Sequence, residues 1–568
     1  MSGARAIVEA LEREKVEYIF GMPGGANLPF YDALWDSKIK HVLVRHEQIS
    51  AHMADAYGRV SRRAGVCSAT SGPGATNLVT GIATAFADSS PVVAITGQVA
   101  KGMTGKSGFQ ETDVVGVLTP VTKYTLQPLS AAEIPSAVKK SFYIAQTGRP
   151  GPVLLDVPKD VQQEETEITF PDSIEIRGYR PAPAFDQLDI ERAAEMLVKA
   201  QRPLLFGGGG IRIADASLQF KAVAELLVAP VITTLQGKGT FPEDHPLAVG
   251  PIGMHGRAEA NKLVGECDVM LAVGVRFSDR STGNFSEFAP DAKIIHIDAD
   301  ATEFNKNKVV ALSIHGDAGR VLSALLDSLA RRIAKKTGAN AWLARLNQVR
   351  EEMKGIPAYK DSYAELSGPK IVKLMRDILP PEAILTTGVG RHQMWCEIHY
   401  RVIQPRTWVT STGLGTMGFG LPAALGAKMA MPDVPVVDFD GDGSFVMTEQ
   451  ALATAVEEKI PVVTVIMNDR SLGMVEQWQR LMYNRHFIGV KFQNLPDFVK
   501  LAESYGVQGT RVGSLDEFGK ALRAGVRADS PTLIEVPVSH EEDVFPFLPP
   551  GRGIKDTVYG SPKEMSIF

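Results

Sequence analysis

The sequence has few cysteines. It contains three in 568 residues, Cys67, Cys267 and Cys396, and they lie far apart along the chain. An odd number at such spacings predicts neither a disulfide framework nor a zinc cluster. We therefore expect a reducing compartment, which favours a cytoplasmic location.

The sequence also lacks long apolar runs and an excess of positive charge. No apolar stretch reaches the roughly 18 residues that a membrane-spanning helix needs, so we expect no membrane association. The formal net charge is −5, which leaves no basic surface for nucleic acid. The first twenty residues carry charges at helical spacing, a pattern that does not fit a signal peptide.

What the chain does have is the composition of a globular protein with several domains. Hydrophobic residues make up 44% and charged residues 22% of the sequence, and its length suits three or four domains. Predicted strands and helices alternate, as where a strand at 65–70 precedes a helix at 75–87. This alternation favours the α/β class with doubly wound parallel sheets. Polar linkers at 162–186 and 328–368 separate three blocks. We predict three domains at 1–165, 188–330 and 368–545, followed by a tail at 546–568.

The most informative stretch lies in the third block, where the turn Gly441-Asp442-Gly443 follows an apolar strand. A helix and a second apolar strand lead from there to Asn468-Asp469, so polar groups end two successive strands of one βαβ unit. Ligands of parallel sheets bind at this carboxyl edge, and glycine lets the backbone approach a phosphate closely. Asp442 and Asp469 would supply the oxygen ligands that magnesium prefers. The alternative is a Gly-Asp turn that only reverses the chain.

Several other features have both a structural and a functional interpretation. Glu47 follows a predicted strand and either complements a helix N-terminus or contacts a cofactor. Met417, among glycines, is either core filler or a support for a flat ring, and Trp478 is either a core aromatic or the wall of a site. The glycines at 207–210 follow a strand and are by themselves a weak dinucleotide signal.

Many short segments, in order along nearly the whole chain, resemble the catalytic subunit of the acetohydroxyacid (acetolactate) synthases, a family of thiamine-diphosphate enzymes. The Gly-Asp-Gly turn and the Asn-Asp some 27 positions later are similar to the diphosphate-magnesium motif of these enzymes. The segments that carry the resemblance are 20–26, 45–48, 71–77, 109–111, 147–152, 253–256, 274–280, 305–308, 392–395, 417–423 and 474–478.

The chain departs from the family pattern at a few positions. Arg391 stands where the family has glutamine, and Asp469 stands where the motif has its second asparagine. Asp469 adds a charge and should still bind magnesium. The other departures are Ala100, Lys106-Ser107-Gly108 and Ser278-Asp279. They lie along the expected substrate channel and cofactor edge, so they bear on which keto acid is preferred.

The resemblance implies an enzyme, a transferase, with three cofactors: thiamine diphosphate, Mg²⁺ and FAD. It implies that Glu47 contacts and activates the aminopyrimidine ring of thiamine diphosphate and that Met417 holds the cofactor bent. Arg276 would bind the carboxylate of a second 2-keto acid through its planar fork of donors. Trp478 and Phe109 would shape the acceptor pocket. The other catalytic candidates are Gly25, in a loop near the reacting carbon, and Gln110.

The same resemblance implies three groups of binding residues. The candidates for thiamine diphosphate are Gly24, Ala26, Pro73, Asn77, Val389, Gly390, Arg391, His392, Gly415, Gly443, Ser444, Gly473 and Met474. The candidates for FAD are Arg149, Gly208, Gly209, Thr234, Leu235, Met254, His255, Gly274, Arg276, Asp298 and Asp317. The candidate magnesium ligands are Asp442, Asp469 and the main-chain carbonyl of Ser471.

The implied reaction decarboxylates pyruvate on thiamine diphosphate and ligates the hydroxyethyl group to a second pyruvate, which gives 2-acetolactate. With 2-ketobutyrate as acceptor the product is 2-aceto-2-hydroxybutyrate, and both belong to the biosynthesis of branched-chain amino acids. Family cofactors bind between subunits, which implies a homodimer or homotetramer, and a regulatory small subunit is a candidate partner. Two alternatives stay open: another thiamine-diphosphate carboligase or decarboxylase of 2-keto acids, and a pyruvate oxidase.

Overall fold

The computed structural model describes residues 1–181, 183–333, 341–359 and 364–560. Within them the chain forms three six-stranded sheets in which all paired strands are parallel. This confirms the predicted α/β class with three doubly wound sheets. None of the helices in this part of the chain is both long and apolar enough to cross a membrane. The domain boundaries inferred from the linkers stay predictions, and the last residues of the predicted tail, 561–568, lie outside the described residues.

The first domain contains the first sheet. Its strands are β1 Tyr18–Gly21, β2 Lys40–Leu43, β3 Gly65–Ala69, β4 Val92–Gln98, β5 Tyr124–Leu126 and β6 Pro152–Pro158. Its helices are α1 Gly3–Arg13, α2 Leu28–Leu34, α3 Glu47–Ser61, α4 Pro73–Asn77, α5 Val79–Ala87, α6 Val114–Leu118, α7 Ile134–Gln146 and α8 Lys159–Gln163. The strand order is β2-β1-β3-β4-β6-β5. The central strands β3, β4 and β6 are buried along their whole length, because helices cover both faces of a parallel sheet.

The helix predicted at 75–87 is wrong in one respect. Two short helices, α4 and α5, meet at Leu78 instead of forming one. The Leu78 amide donates to the carbonyl of Ala75, three residues back, which tightens the backbone at that point. The apolar spacing continues across the break, so periodicity alone does not reveal it.

The central domain contains the second sheet, in the order β12-β11-β10-β7-β8-β9. Its strands are β7 Pro203–Gly207, β8 Val231–Thr233, β9 Ala248–Pro251, β10 Val269–Val273, β11 Lys293–Asp298 and β12 Leu312–His315. Its helices are α9 Gln187–Lys199, α10 Gly209–Ile213, α11 Ser217–Leu227, α12 Ala258–Val264, α13 Asp279–Thr282, α14 Ala318–Arg332 and α15 Ala341–Lys354.

The third domain contains the third sheet, in the order β14-β13-β15-β16-β18-β17. Its strands are β13 Ile384–Thr387, β14 Trp408–Thr410, β15 Val436–Gly441, β16 Val463–Asn468, β17 Gln508–Arg511 and β18 Thr532–Pro537. Its helices are α16 Gly368–Ile378, α17 Arg391–His399, α18 Gly420–Ala430, α19 Asp442–Phe445, α20 Ala451–Glu457, α21 Gly473–Met482, α22 Phe498–Ser504 and α23 Leu515–Arg527. One-turn 3₁₀ helices lie at Lys101–Met103, Thr119–Val121, Ala131–Glu133, Leu235–Gly237, Ala301–Glu303, Pro357–Tyr359 and Ile554–Asp556.

The first and third domains share one hydrophobic core. Helix α3 packs against α18 so closely that a Cβ on Gly426 would lie 2.1 Å from the carbonyl oxygen of Met53, an approach that only glycine permits. Arg59 of α3 is buried and donates to both carboxylate oxygens of Asp55 and to the carbonyl of Thr410 at 2.8 Å. This buried network fixes the two domains relative to each other.

The C-terminal segment packs against the central domain. The Leu548 amide donates to the Met254 carbonyl at 2.7 Å, and the Nδ1 atom of His255 lies 3.0 Å from the carbonyl oxygen of Pro546. Phe547, between these contacts, is fully buried. The segment therefore connects the end of the third domain to the Met254–His255 region of the central domain.

Candidate active site

The loops that follow β13, β15 and β16 meet at the carboxyl edge of the third sheet, because these strands are neighbours in it. Gly388, the first residue after β13, packs against the end of β15 and the start of α19. A Cβ on Gly388 would lie 1.8 Å from the Oδ1 atom of Asp440 and 2.3 Å from the Oγ atom of Ser444. Only glycine fits there, so the backbone turns form a compact floor at the sheet edge.

The two predicted metal-binding carboxylates lie at this edge, and their charges interact. Asp442 is buried and accepts hydrogen bonds from the amides of Gly443, at 2.6 Å, and Arg470, at 2.7 Å. Asp469 accepts from the amide and the hydroxyl of Ser471 at 2.9 and 2.8 Å. Burial, and then the neighbouring charge of Asp469, raise the pKa of Asp442 to about 8. A divalent cation between them would stabilise both charges.

The donor set of this edge suits magnesium better than a zinc-type site. Among the described residues, no group of three or more His, Cys, Asp or Glu side chains is placed to hold a metal. Two carboxylates can hold Mg²⁺ when main-chain carbonyl, phosphate and water oxygens complete its shell. The carbonyl of Ser471 stays the predicted third protein ligand.

His392 and Arg391 pack against the loops of this edge. His392 lies under the Gly441 turn, where a Cβ on that glycine would be 2.8 Å from its Nδ1 atom. Burial lowers the pKa of His392 to about 3, so the ring is neutral. The Nη2 atom of Arg391 donates to the Oδ2 atom of Asp469 at 2.7 Å. Direct contact of either residue with a cofactor stays a prediction.

Glu47 lies at the carboxyl edge of the first sheet, as the first residue of α3. Its exposed fraction is 9%, and its Oε2 atom accepts a hydrogen bond from the side-chain Nδ2 of Asn77 at 2.9 Å. The other oxygen, Oε1, faces Gly74, whose Cβ would be 3.2 Å away. Both interpretations of Glu47 share this geometry: it is a helix N-terminal carboxylate, and it faces a glycine-lined edge.

The loops after β1 and β3 place other predicted residues beside Glu47. The Ala26 amide donates to the Thr70 hydroxyl at 3.2 Å, and the Gly24 amide donates to the Asn27 side chain at 2.7 Å. A Cβ on Gly25 would meet no atom within 4 Å, so this position borders open space. The edge therefore has an opening beside Gly25. The predicted residue Pro73 is the first residue of α4, which follows β3 at the same edge.

Gln110 and Phe109 lie on a loop of the first domain. Gln110 has a backbone φ of 59° and packs against Gly72, whose Cβ would lie 2.8 Å from the Gln110 carbonyl oxygen. The side chain of Phe109 is 89% exposed. An aromatic side chain this exposed is typical of an interaction surface rather than of a pocket wall within one chain.

A cavity of about 1250 Å³ lies where the three domains meet. Its volume exceeds the roughly 300–1000 Å³ of most small-molecule pockets. The predicted residues that line it are Arg149, Gly209, Thr234, Leu235, Met254, His255, Gly274, Arg276, Asp298, Asp317, Val389, Gly390, Gly415, Met417, Met474 and Trp478. All candidate flavin residues except Gly208 therefore share one space with the substrate candidates Arg276 and Trp478.

The other predicted residues do not line this cavity. They are Gly24, Gly25, Ala26, Glu47, Pro73, Asn77, Phe109, Gln110, Gly208, Arg391, His392, Asp442, Gly443, Ser444, Asp469, Ser471 and Gly473. Gly208 has a packing role instead, since a Cβ there would lie 2.0 Å from the Gly274 carbonyl oxygen. The rest belong to the two sheet edges, or to the loop of Gln110, outside the cavity.

Sequence reasoning missed three polar residues of the cavity wall, Ser89, Asp300 and Glu303, all of which contact the predicted residue Arg149. Arg149 donates to the hydroxyl of Ser89 at 2.9 Å and to the carboxylates of Asp300, at 3.0 Å, and Glu303, at 2.7 Å. It thus joins the first domain to the central domain at the cavity. The position of Asp300 just after β11 is the only signal that could have marked it, and Glu303 has none.

Buried Glu397 on the cavity wall predicts a pH-dependent stability. Burial raises the pKa of Glu397 to about 8, although Lys238 opposes the shift. A raised carboxyl pKa adds stability below the ordinary value of about 4.5, and that stability is lost as the pH rises to about 8. We expect Glu397→Gln to gain stability relative to wild type as the pH rises from 5 to 8. The difference in the free energy of unfolding should grow by up to about 1.4 kcal/mol per pH unit, and the Tm of the variant should rise relative to wild type accordingly. Thermal unfolding across this range measures it.

The matched control is Glu382→Gln, at an exposed position before β13. Its Tm should follow the wild-type curve at every pH. A constant offset between Glu397→Gln and wild type from pH 5 to 8 would contradict the prediction.

Comparison with known families places the site in context. Models of thiamine pyrophosphate enzymes match the chain in three places. The N-terminal TPP binding domain matches 1–117, the central domain matches 190–325, and the C-terminal TPP binding domain matches 388–536. Each match covers most of one of the three sheets.

Three curated relatives are similar over nearly their full length. The probable acetolactate synthase large subunit of Methanocaldococcus jannaschii is 47% identical over 98% of this chain and 95% of its own. The acetolactate synthase large subunit of Corynebacterium glutamicum is 44% identical over 98% and 90%. The acetolactate synthase isozyme 3 large subunit of Escherichia coli is 40% identical over 98% of both chains. The resemblance inferred from the motifs is confirmed, and the chain belongs to the acetolactate synthase large-subunit family of thiamine pyrophosphate enzymes.

Proposed function

We propose that the chain catalyses the decarboxylation of pyruvate and the ligation of the hydroxyethyl group to a second 2-keto acid. The products are 2-acetolactate from pyruvate and 2-aceto-2-hydroxybutyrate from 2-ketobutyrate. The observation that carries this proposal is the cavity in which Arg276, Met417 and Trp478 line one space beside the Asp442 edge. Thiamine diphosphate, when bound, supplies the nucleophilic carbon and the electron sink of the reaction.

The residues of the third-sheet edge fit a diphosphate with its magnesium ion. Glycine turns expose backbone to the site, and the amide of Gly443 already binds a carboxylate oxygen of Asp442. Asp442 is buried, Asp469 is half-buried, and among the described residues only Asp469 of the two has a direct ion pair, with Arg391, so a divalent cation would offset the remaining negative charge. We infer that Asp442, Asp469 and the Ser471 carbonyl hold Mg²⁺ and thereby the diphosphate.

The central domain fits FAD because the cavity that it lines is large and because glycines form part of the wall. A Cβ on Gly210 would lie 2.6 Å from the Cα atom of Gly274, so the two backbones meet without side chains. Gly209, Thr234 and Met254 continue the same wall. We propose that this wall holds FAD as a structural cofactor, since the proposed reaction involves no net oxidation.

Arg276 is the proposed anchor of the acceptor keto acid. Its Nη1 atom donates to the Ala87 carbonyl at 2.7 Å, which holds the guanidinium at the cavity. The remaining donors can bind a carboxylate. The buried Nε1 atom of Trp478 has no hydrogen-bond partner among the described residues, so a ligand can take it. Met417 and Met474 add apolar surface that excludes water, which favours ligation over protonation.

We further propose that the working form is a homodimer or a homotetramer, with each active site between two chains. Glu47 and its neighbours do not line the cavity within one chain. Large apolar side chains are exposed on the first and third domains, including Phe109 at 89% and Ile488 at 79%. A second copy would cover them and bring its Glu47 edge to the Asp442 edge.

Two further parts of the proposal concern the surroundings of the enzyme. The relatives are named large subunits, which supports a separate, smaller regulatory subunit for this chain.

The three cysteines are buried free thiols, and burial raises the pKa of Cys67 to about 12. Reduced, unreactive thiols suit the cytoplasm, where we expect the enzyme to act.

The proposed function predicts a defined product from pyruvate. With thiamine diphosphate, Mg²⁺ and FAD, the purified protein should form acetolactate and release one CO₂ per molecule formed. Omission of FAD after its removal should abolish most of the product without any oxygen uptake. Product identification and an oxygen electrode measure the two quantities. Acetaldehyde as the main product would indicate a decarboxylase, and oxygen uptake with pyruvate would indicate a pyruvate oxidase; either would contradict the proposal.

A further inference from the structure

Arg391 is buried at the metal-binding edge in a slot that is shaped for its guanidinium. Its side chain is 2% exposed. A Cβ on Gly473, the first residue of α21, would lie 2.2 Å from its Nε atom and 2.6 Å from its Nη2 atom. Any larger residue at 473 would therefore displace the guanidinium. An arginine held this tightly is part of the site's construction.

The guanidinium binds the second carboxylate of the metal site and the start of the C-terminal segment. Its Nη2 atom donates to the Oδ2 atom of Asp469 at 2.7 Å, and its Nη1 atom donates to the carbonyls of His540 and Glu542, both at 2.9 Å. Asp469 directs its other oxygen to Ser471. The orientation of the Asp469 carboxylate is thus set from two sides.

Arg391 offsets one of the two carboxylate charges at this edge. Asp442 and Asp469 bring two negative charges to a place where a diphosphate would bring more. Together with Arg391 the three side chains carry one net negative charge. That is the charge that Asp442 alone would carry beside a neutral amide at position 469.

We propose that Arg391 and Asp469 act as a compensated pair, in which the guanidinium neutralises and orients the extra carboxylate of the metal site. Arg391 is then a positioning residue that acts through Asp469. The inference rests on the proposed function of this edge as the diphosphate-magnesium site. Removing one partner leaves the other as an uncompensated buried charge, which costs more than removing both.

The two single variants should disturb binding in opposite ways. Asp469→Asn leaves a cation beside the metal and should weaken Mg²⁺ binding, whereas Arg391→Gln leaves an extra anion and should weaken thiamine diphosphate binding. A coupling of 1.4 kcal/mol is a factor of ten, so we expect each defect to be about tenfold or more. The double variant should return both affinities to within about threefold of wild type.

The test is a double-mutant cycle measured by calorimetry with Mg²⁺ and thiamine diphosphate at one fixed pH, with thermal unfolding alongside. Arg480→Gln is the matched control, since Arg480 contacts the same segment through Asp543 at 2.8 Å and His540 at 3.3 Å. No contact joins Arg480 to Asp469 among those described. The control should change Tm and leave both affinities unchanged. Arg391→Lys, which keeps the charge without the fork, should recover part of the loss.

Each outcome decides between the pair and its alternatives. Recovery in the double variant supports the pair, also when a single variant does not fold. Additive losses, or a double variant that neither folds nor binds, would overturn it. If Arg480→Gln weakens thiamine diphosphate binding as much as Arg391→Gln does, the role of Arg391 is only structural and the pair is also refuted. Wild-type protein that binds neither ligand would instead refute the proposed function of the site.

Discussion

Replacing Glu47 with glutamine is expected to lower kcat with pyruvate by about 10²- to 10⁴-fold, the usual contribution of a positioned proton-transfer group. Asn77 holds the Oε2 atom of Glu47, and Oε1 faces the glycine-lined edge. A carboxylate there can share a proton with a ring nitrogen of the cofactor. An amide keeps the shape and the Asn77 contact but cannot accept that proton.

Steady-state kinetics together with thermal unfolding separate the two interpretations of Glu47. If the residue only complements the N-terminus of α3, Glu47→Gln should cost about 0.3–1 kcal/mol of stability and leave kcat unchanged. Glu517→Gln is the control, because Glu517 lies in the first turn of α23 and should show just that behaviour. A Glu47→Gln enzyme that retains more than a tenth of kcat would contradict the catalytic role.

Replacing Asp442 with asparagine is expected to abolish turnover and, at the same time, to stabilise the metal-free protein at neutral pH. Burial raises the pKa of Asp442 to about 8, so its ionised form destabilises the fold progressively as the pH rises from about 4 to 8. Asparagine removes that charge. It also removes a metal ligand, so Mg²⁺ affinity should fall at least about 100-fold, more than the 10- to 100-fold that outer-shell changes cost.

Metal titration and unfolding without metal measure the two effects. Asp433→Asn, at an exposed position before β15, should change neither. Loss of activity accompanied by lower stability of the metal-free protein would indicate general damage and would contradict the assignment of Asp442 to the metal site.

The two inactive variants can be combined to locate the active site. In a dimer with sites between chains, a subunit with Glu47→Gln and one with Asp442→Asn form one intact site and one doubly defective site. Random pairing after co-expression should then restore about a quarter of wild-type activity. Sites contained within single chains would give no recovery, and the proposed assembly would be refuted.

The sequence by itself determined the sheet type and the place of the edge at which we propose a magnesium site. Apolar runs separated by helical spacing predict parallel strands, and parallel strands bring their carboxyl ends to one edge. Asp442 and Asp469, each just beyond a strand, therefore had to meet once β15 and β16 were neighbours. The expectation that the three domains bind cofactors followed only from the resemblance, because no periodicity encodes a ligand.

The tertiary structure alone decided which side chains share a space. Packing between distant segments decides three features of the site. It joins Arg149 to Asp300 and Glu303. It also places Arg276 and Trp478 in one cavity and brings Arg391 to Asp469. Local patterns report which face of an element is buried, and they carry no information on what lies opposite. Arg391 shows the difference: its position beside a cofactor motif suggested a cofactor contact, and only the slot at Gly473 revealed that its partner is Asp469.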